Sequence, residues 1–186
     1  MRPGRFPARV VVAVVVSVVV LAAASTVAIA AVTGGFRSAR SAPNGQCSAP
    51  ALPGRVVDVD LVDFGPMMMD RGPGGHMRVL LSSASVPAGT VSLRVANTGR
   101  LVHELIVLPL PSGQDVGSRS IGSDGRIVEA GSLGEASNTC GAGAGDGINP
   151  GAISWVTLDL RPGTYELVCN EPWHYGGGMY TELRVV

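Results

Sequence analysis

The stretch Gly163-Thr-Tyr165-Glu-Leu167-Val-Cys169-Asn-Glu-Pro-Trp-His174-Tyr-Gly-Gly-Gly-Met179-Tyr-Thr-Glu-Leu-Arg-Val-Val186 decides the fold. Tyr165, Leu167 and Cys169 alternate onto one face of an extended segment, residues 171–178 form a turn-rich loop, and residues 180–186 read as a terminal strand. This is a hairpin with an unusual loop, and it closes the chain.

Working back from it, the same period-two pattern recurs. Val57, Val59 and Leu61 alternate with Asp58, Asp60 and Val62. Residues 77–81 read as a short strand, and Val86-Pro-Ala-Gly89 as a turn. In residues 90–97, Val91, Leu93 and Val95 oppose Ser92 and Arg94, before a turn at Asn97-Thr-Gly99. Residues 103–108 are mostly apolar and so predict a central strand, 153–160 predict another, and Arg161-Pro-Gly163 a tight turn. Seven to eight short strands with turn signals between them predict an all-β sandwich. The 26 Gly and 13 Pro in 186 residues agree with strands and tight loops. Between residues 109 and 151 the pattern dissolves into Gly, Ser and Asp, long for a structureless connection in a compact domain. A short helix is expected there over residues 129–135.

The N-terminus is of another kind. Residues 10–32 are uncharged and rich in Val and Ala, and Arg2, Arg5 and Arg9 precede them. As a helix, these 23 residues extend about 35 Å, enough for a hydrocarbon core of roughly 30 Å. Basic residues on the N-terminal side orient such a span with its start in the cytoplasm. A cleavable signal peptide is the competing reading, with Val27-Ala28-Ile29-Ala30 as its small-residue site, although the run is long for a signal. Either way the rest is exported: to the cell membrane with the domain extracytoplasmic, or secreted if the segment is cleaved. The expected organisation is an anchor or signal over 1–33, a flexible linker over 34–54, and one domain over 55–186. That remainder carries 11 Arg against 14 acidic residues and no basic stripe, which argues against nucleic acid as a partner. A monomer is expected.

Three Cys occur. In an exported domain two can pair. Cys47 and Cys140 lie in Gly/Ser/Ala-rich sequence, whereas Cys169 ends a strand and has His and Met downstream. The natural division pairs Cys47 with Cys140 and leaves Cys169 free, although three pairings are open to the sequence alone.

Cys169, His174 and Met179 form a C-x4-H-x4-M pattern between two predicted strands. Thiolate, imidazole and thioether together suit copper, because soft sulfur holds Cu(I) and imidazole serves both oxidation states. A fourth donor must come from elsewhere. His76 sits among glycines in a loop, whereas His103 sits where a strand begins after a turn. His103 is therefore the candidate. Two His and one Cys in a plane, with Met as a weak axial ligand, is the arrangement of electron-transfer copper sites. Gly176-Gly-Gly178 lets the loop double back to bring Met179 to the metal, and Pro172 stiffens its other half.

The segments Val86-Pro-Ala-Gly-Thr-Val-Ser-Leu, Asn97-Thr-Gly-Arg-Leu-Val-His103-Glu-Leu-Ile-Val-Leu and Cys169-Asn-Glu-Pro-Trp-His174-Tyr-Gly-Gly-Gly-Met179 resemble the cupredoxin family of blue copper proteins. The loop spacing is similar to that of rusticyanins and sulfocyanins. The likeness covers roughly residues 56–186. It implies a Greek-key β-sandwich with one type 1 copper bound by His103, Cys169, His174 and, axially, Met179. Glu104 stands where many members have Asn, which puts the usual hydrogen bond to the Cys sulfur, and the reduction potential it tunes, in question. The long Gly-rich insert is not a general family feature either.

The function that follows is one-electron transfer outside the cytoplasm, with a redox protein as partner and no catalysis. A copper storage or delivery protein is the rival. Met67, Met68 and Met69, with His76 and Met77, favour it as a second sulfur-rich patch, although a flexible loop whose Met side chains pack on the end of the sandwich is the preferred reading of the run. A copper-free interaction module is a third reading. Pro172, Trp173 and Tyr175 could form an apolar docking patch around His174, or simply pack the loop. Three His are too few for a multicopper oxidase, and one Cys in the terminal loop is too few for a binuclear centre. Met is a poor zinc ligand, and nothing near Cys169 resembles an activating helix N-terminus or nucleophile elbow.

Overall fold

The computed structural model describes residues 47–63 and 77–186. The predicted span over residues 10–32, the linker up to residue 46, the Met67–69 run and His76 lie outside the described residues.

The described residues form nine strands: β1 (Arg55–Asp63), β2 (Met77–Leu81), β3 (Ser85–Val86), β4 (Gly89–Asn97), β5 (Leu105–Pro109), β6 (Gly134–Ala136), β7 (Ile153–Leu160), β8 (Gly163–Val168) and β9 (Tyr180–Val185). They form two sheets, in the orders β2-β1-β4-β7 and β3-β9-β8-β5-β6. The first strand runs parallel to β4, and β3 parallel to β9; the other pairs are antiparallel. Among the described residues there is no α-helix. The sequence pattern misses only the edge strands β3 and β6, which are too short to show a period.

The expected alternation holds. Val57, Val59 and Leu61 of β1, Val91, Leu93 and Val95 of β4, Leu105 and Val107 of β5, Leu167 of β8 and Leu183 of β9 are buried in one cluster between the sheets. Fully burying a Val or Leu side chain is worth about 1.5–3 kcal/mol each, so this layer is the main favourable contribution. Tyr165 and Cys169 join the same cluster, as their spacing predicts.

The helix expected over residues 129–135 is absent. Gly131 and Gly134 adopt φ of 89° and 151°, which a right-handed helix excludes. Glu129 and Ser132 instead close a turn, the Leu133 amide donates to Val107 O, and Gly134–Ala136 pairs with β5 as an edge strand.

The insert between β5 and β7 is also not a loose loop. It packs on the outer face of the second sheet. There Ile106, Leu108 and Val168 form a second buried cluster with Ile127 of the insert and Tyr175. A Cys47–Cys140 disulfide, 93 residues apart in sequence, ties the segment before β1 to the insert, and Cys169 stays free and buried.

Candidate metal centre

Antiparallel pairing of β5 with β8 and of β8 with β9 brings the start of β5, the end of β8 and the start of β9 to one end of the sandwich. That geometry collects three distant pieces of sequence. His103 lies two residues before β5 and is fixed by a backbone bridge to Ile148, its amide donating to Ile148 O at 3.2 Å and its carbonyl accepting from Ile148 N at 2.6 Å. Cys169 directly follows β8, and Met179 directly precedes β9. The Cys169 amide donates to Met179 O at 3.0 Å, which closes the loop at its neck.

Within that loop the backbone folds on itself. The His174 amide donates to Glu171 O, Gly177 to Trp173 O, Gly178 to Tyr175 O and Met179 to His174 O. Trp173 is held at φ 70° while its own amide donates to Gly125 O of the insert. This tight turning is what the three glycines permit.

His103 Nδ1 and His174 Nδ1 are 3.1 Å apart, and Cys169 Sγ is 3.4 Å from His174 Nδ1 and 3.8 Å from His103 Nδ1. Around one first-row ion, imidazole nitrogens at about 2.0–2.1 Å and a thiolate at about 2.3 Å that share a plane stand roughly 3.5 Å from each other. The observed spacings bracket that value, so the donors fit a single small ion. They are the one His/Cys/Asp/Glu group among the described residues arranged to hold a metal. Met179 is near them and fully buried, so four soft or borderline donors converge, the set that favours copper over zinc.

The electrostatics keep the donors neutral until a metal arrives. Burial pushes the Cys169 thiol up to about 12. Burial, then the neighbouring His174, lowers His103 to about 4, and burial lowers His174 as well. The imidazoles are thus unprotonated at neutral pH, and metal entry has only the thiol proton to displace.

Around the sulfur, the question raised by Glu104 is answered by the backbone. The Glu104 amide donates to Cys169 Sγ at 3.4 Å, a bond that does not depend on the side chain at that position. Glu104 is 8% exposed, and burial with the neighbouring Glu171 raises its carboxyl to about 7. Its Oε1 has no hydrogen-bond partner among the described residues, and Arg126 is 3.8 Å away.

Sequence reasoning missed the residues that brace the ligand loop. Asn170 donates to Ile127 O and Glu129 Oε1 and accepts from the Ile127 amide, while Arg126 donates to Asn170 O and Glu171. Glu166 is fully buried and accepts from the Gly117 amide, Arg119 and the Tyr175 hydroxyl. Tyr175 therefore points inward and is not part of an apolar patch, whereas Pro172 and Trp173 are exposed. The position of Asn170, directly after the candidate ligand Cys169, was the one available signal; nothing in the strand period marks Glu166 or Arg126.

A two-sheet β-sandwich with a buried His-Cys-His cluster and an adjacent Met at one end defines a cupredoxin. More particularly, the profile of the sulfocyanin (SoxE) domain matches residues 74–186, and the chain belongs to that family. Among solved structures, rusticyanin from Thiobacillus ferrooxidans is similar at 18% identity with a TM-score of 0.43, over 77% of this chain and 88% of that one. Dithionite-reduced auracyanin from Roseiflexus castenholzii is similar at 16% identity with a TM-score of 0.41, over 73% of this chain and 98% of that one. Both likenesses are distant, and the family assignment rests on the sulfocyanin match. No curated protein is a significant sequence match. Membership implies one type 1 copper ion as cofactor, which the donor set fits, and the fold and cluster together indicate electron transfer.

Proposed function

We propose that this chain is a membrane-anchored, extracytoplasmic type 1 copper protein that passes single electrons between redox proteins and is not an enzyme, with His103, Cys169 and His174 as the strong ligands and Met179 as the axial one. The convergence of Nδ1, Sγ and Nδ1 within 4.8 Å of one another carries the assignment.

Bound there, copper supplies the Cu(I)/Cu(II) couple. The protein supplies stiffness. Cys169 is held by its own amide on Met179 O and by the Glu104 amide on its sulfur, and His103 is clamped to Ile148. Donors fixed in this way hold one arrangement for both charge states, so little reorganisation accompanies a change of charge. His103 is fully buried, whereas His174 is part exposed. His174 is accordingly the edge through which a partner's electron would pass, with exposed Pro172 and Trp173 beside it.

Two features support the proposed compartment. The Cys47–Cys140 disulfide suits an oxidising environment. The uncharged run over residues 10–32, preceded by three Arg, suits an anchor with the domain outside.

Absorption and EPR spectra of the copper-loaded full chain test the proposal. An intense visible thiolate-to-copper band with a type 1 EPR signal, both lost in Cys169→Ala, is the expected result. A copper-loaded chain without that band would overturn it.

A further inference from the structure

His103 has two ring nitrogens with different surroundings. Nδ1 faces His174 and Cys169. Nε2 is buried and has no hydrogen-bond partner among the described residues. Its nearest charged group is the carboxylate of Asp63, with Oδ1 3.9 Å away.

Asp63 is not there by accident of side-chain freedom. It is the last residue of β1, its side chain is 9% exposed, and its carboxylate accepts from the backbone amides of Arg100 and Leu101. Those amides belong to the turn that delivers His103, and the same turn is tied to β1 by Thr98, whose amide donates to Leu61 O at 3.0 Å. Gly99 fits between the two groups: a Cβ at this position would collide with Asp63 Oδ1 and lie 2.9 Å from His103 Nε2. A larger residue at position 99 would have to separate the carboxylate from the ring.

We propose that Asp63 is the positioning residue of His103: its carboxylate keeps the ring proton on Nε2, leaves Nδ1 free as the donor that faces Cys169 and His174, and biases the bound copper toward its more highly charged state. The inference rests on the ligand assignment above. A neutral imidazole carries one N–H, and the nitrogen that binds a metal must be bare. A buried N–H in turn calls for an acceptor. At 3.9 Å the carboxylate acts on Nε2 as a charge on a dipole, without a full hydrogen bond. Metal-ligating histidines characteristically turn their other N–H toward a carboxylate or carbonyl, and removing that partner typically costs about 10–100-fold in metal affinity. A fixed negative charge behind the ring favours Cu(II) over Cu(I), so its loss falls mainly on the oxidised state.

Asp63→Asn tests this in the full chain, because the amide oxygen can still accept from one of the two amides, Arg100 or Leu101, that the carboxylate's two oxygens now hold, while the charge is gone. Asp58→Asn is the control: it removes the same charge from the same strand at an exposed site paired with Arg94. The expected result is a fall of about tenfold or more in Cu(II) affinity relative to Cu(I) for Asp63→Asn, equivalent to a rise of roughly 59 mV per tenfold in a one-electron potential, and no change for Asp58→Asn. An Asp63→Asn potential equal to wild type overturns the proposal. Nitrogen-15 NMR of the metal-free wild-type chain gives a reading that needs neither copper nor a folded variant: His103 protonated at Nε2 supports the proposal, and protonation at Nδ1 overturns it. Should the wild-type chain lack the thiolate-to-copper band, the ligand assignment falls by itself, while the tautomer result still reports on Asp63.

Discussion

Strand β8 is buried on both faces, and the two faces are built differently. Inward, Tyr165 and Leu167, continued by Cys169, pack between the sheets. Outward, Glu166 and Val168, continued by Asn170, are equally buried, but beneath the insert and with polar groups among them. The inner face is held by area removed from water; the outer face adds to a smaller apolar cluster a set of satisfied hydrogen bonds and a buried ion pair. Because polar burial is costly wherever a partner is missing, the outer face fixes one position of the insert against the ligand loop. The inner face then carries the candidate ligand Cys169, and the outer face sets the neighbours of His174.

Cys169→Ala breaks the inner face at its functional point and has the largest expected effect: complete loss of the thiolate-to-copper band, with the fold retained because a buried Cys behaves as a small apolar residue. Retention of the band would mean that another sulfur is the ligand.

Truncations on the two faces compare them directly. Leu167→Ala removes a fully buried inner side chain and should cost about 2–5 kcal/mol. Glu166→Ala leaves Arg119, the Gly117 amide and the Tyr175 hydroxyl without their shared acceptor, and should cost about 3–5 kcal/mol, read by urea denaturation. It should also shift the EPR parameters of the copper-loaded protein, since Tyr175 adjoins His174. If Glu166→Ala costs less than about 1 kcal/mol, the range of an exposed ion pair, the outer face is not held as described.

Reducing the disulfide loosens the insert at its far end. Cys47→Ala with Cys140→Ala should lower stability by about 2–4 kcal/mol, with the copper spectrum unchanged because neither residue approaches the ligands. A spectrum that changes with this pair would show that the insert's anchoring reaches the metal centre.

The difference between the faces also explains what could be read from the sequence. The inner face obeys a period of two, so Val57, Val91, Leu93, Leu167 and Cys169 are recognisable from alternation alone. The convergence of the candidate ligands is legible because His174 and Met179 share a loop with Cys169, and that of His103 because it stands where a strand begins. The outer face has no period. Glu166 sits at a position that alternation assigns to solvent; only the fold shows that Arg119, 47 residues earlier, lies over it. Asp63 is hidden in the same way, since its relation to His103 depends on the end of β1 and the start of β5, in two different sheets, lying together. The spurious helix over residues 129–135 fails for a related reason: the acidic ends look helical, but two glycines and an available sheet edge decide the outcome.

The smallest effect, and the one that most sharpens the contrast, concerns pH. Burial raises Glu104 from 4.5 to about 7, so between those values the folded, metal-free protein holds a proton that the unfolded chain releases. This contribution to stability is present below pH 4.5 and is lost as pH rises through 7. His103 is lowered from 6.5 to about 4, so there the unfolded chain holds the extra proton; its contribution is present above 6.5 and is lost as pH falls toward 4. The two slopes oppose each other between pH 4.5 and 6.5, and His174, also lowered by burial, adds to the His103 slope. Glu104→Gln removes one of them. The variant should gain stability with rising pH up to about 6.5, by at most about 1.4 kcal/mol per pH unit for each of the two lowered histidines, and exceed wild type at pH 8 by about 1–3 kcal/mol. Urea denaturation of both metal-free chains at pH 5 and pH 8 measures this, within a range where the Cys169 thiol stays protonated. Parallel pH dependences for wild type and Glu104→Gln would mean that Glu104 keeps the same charge folded and unfolded, and that the carboxyl beside the ligands is as well solvated as any on the surface.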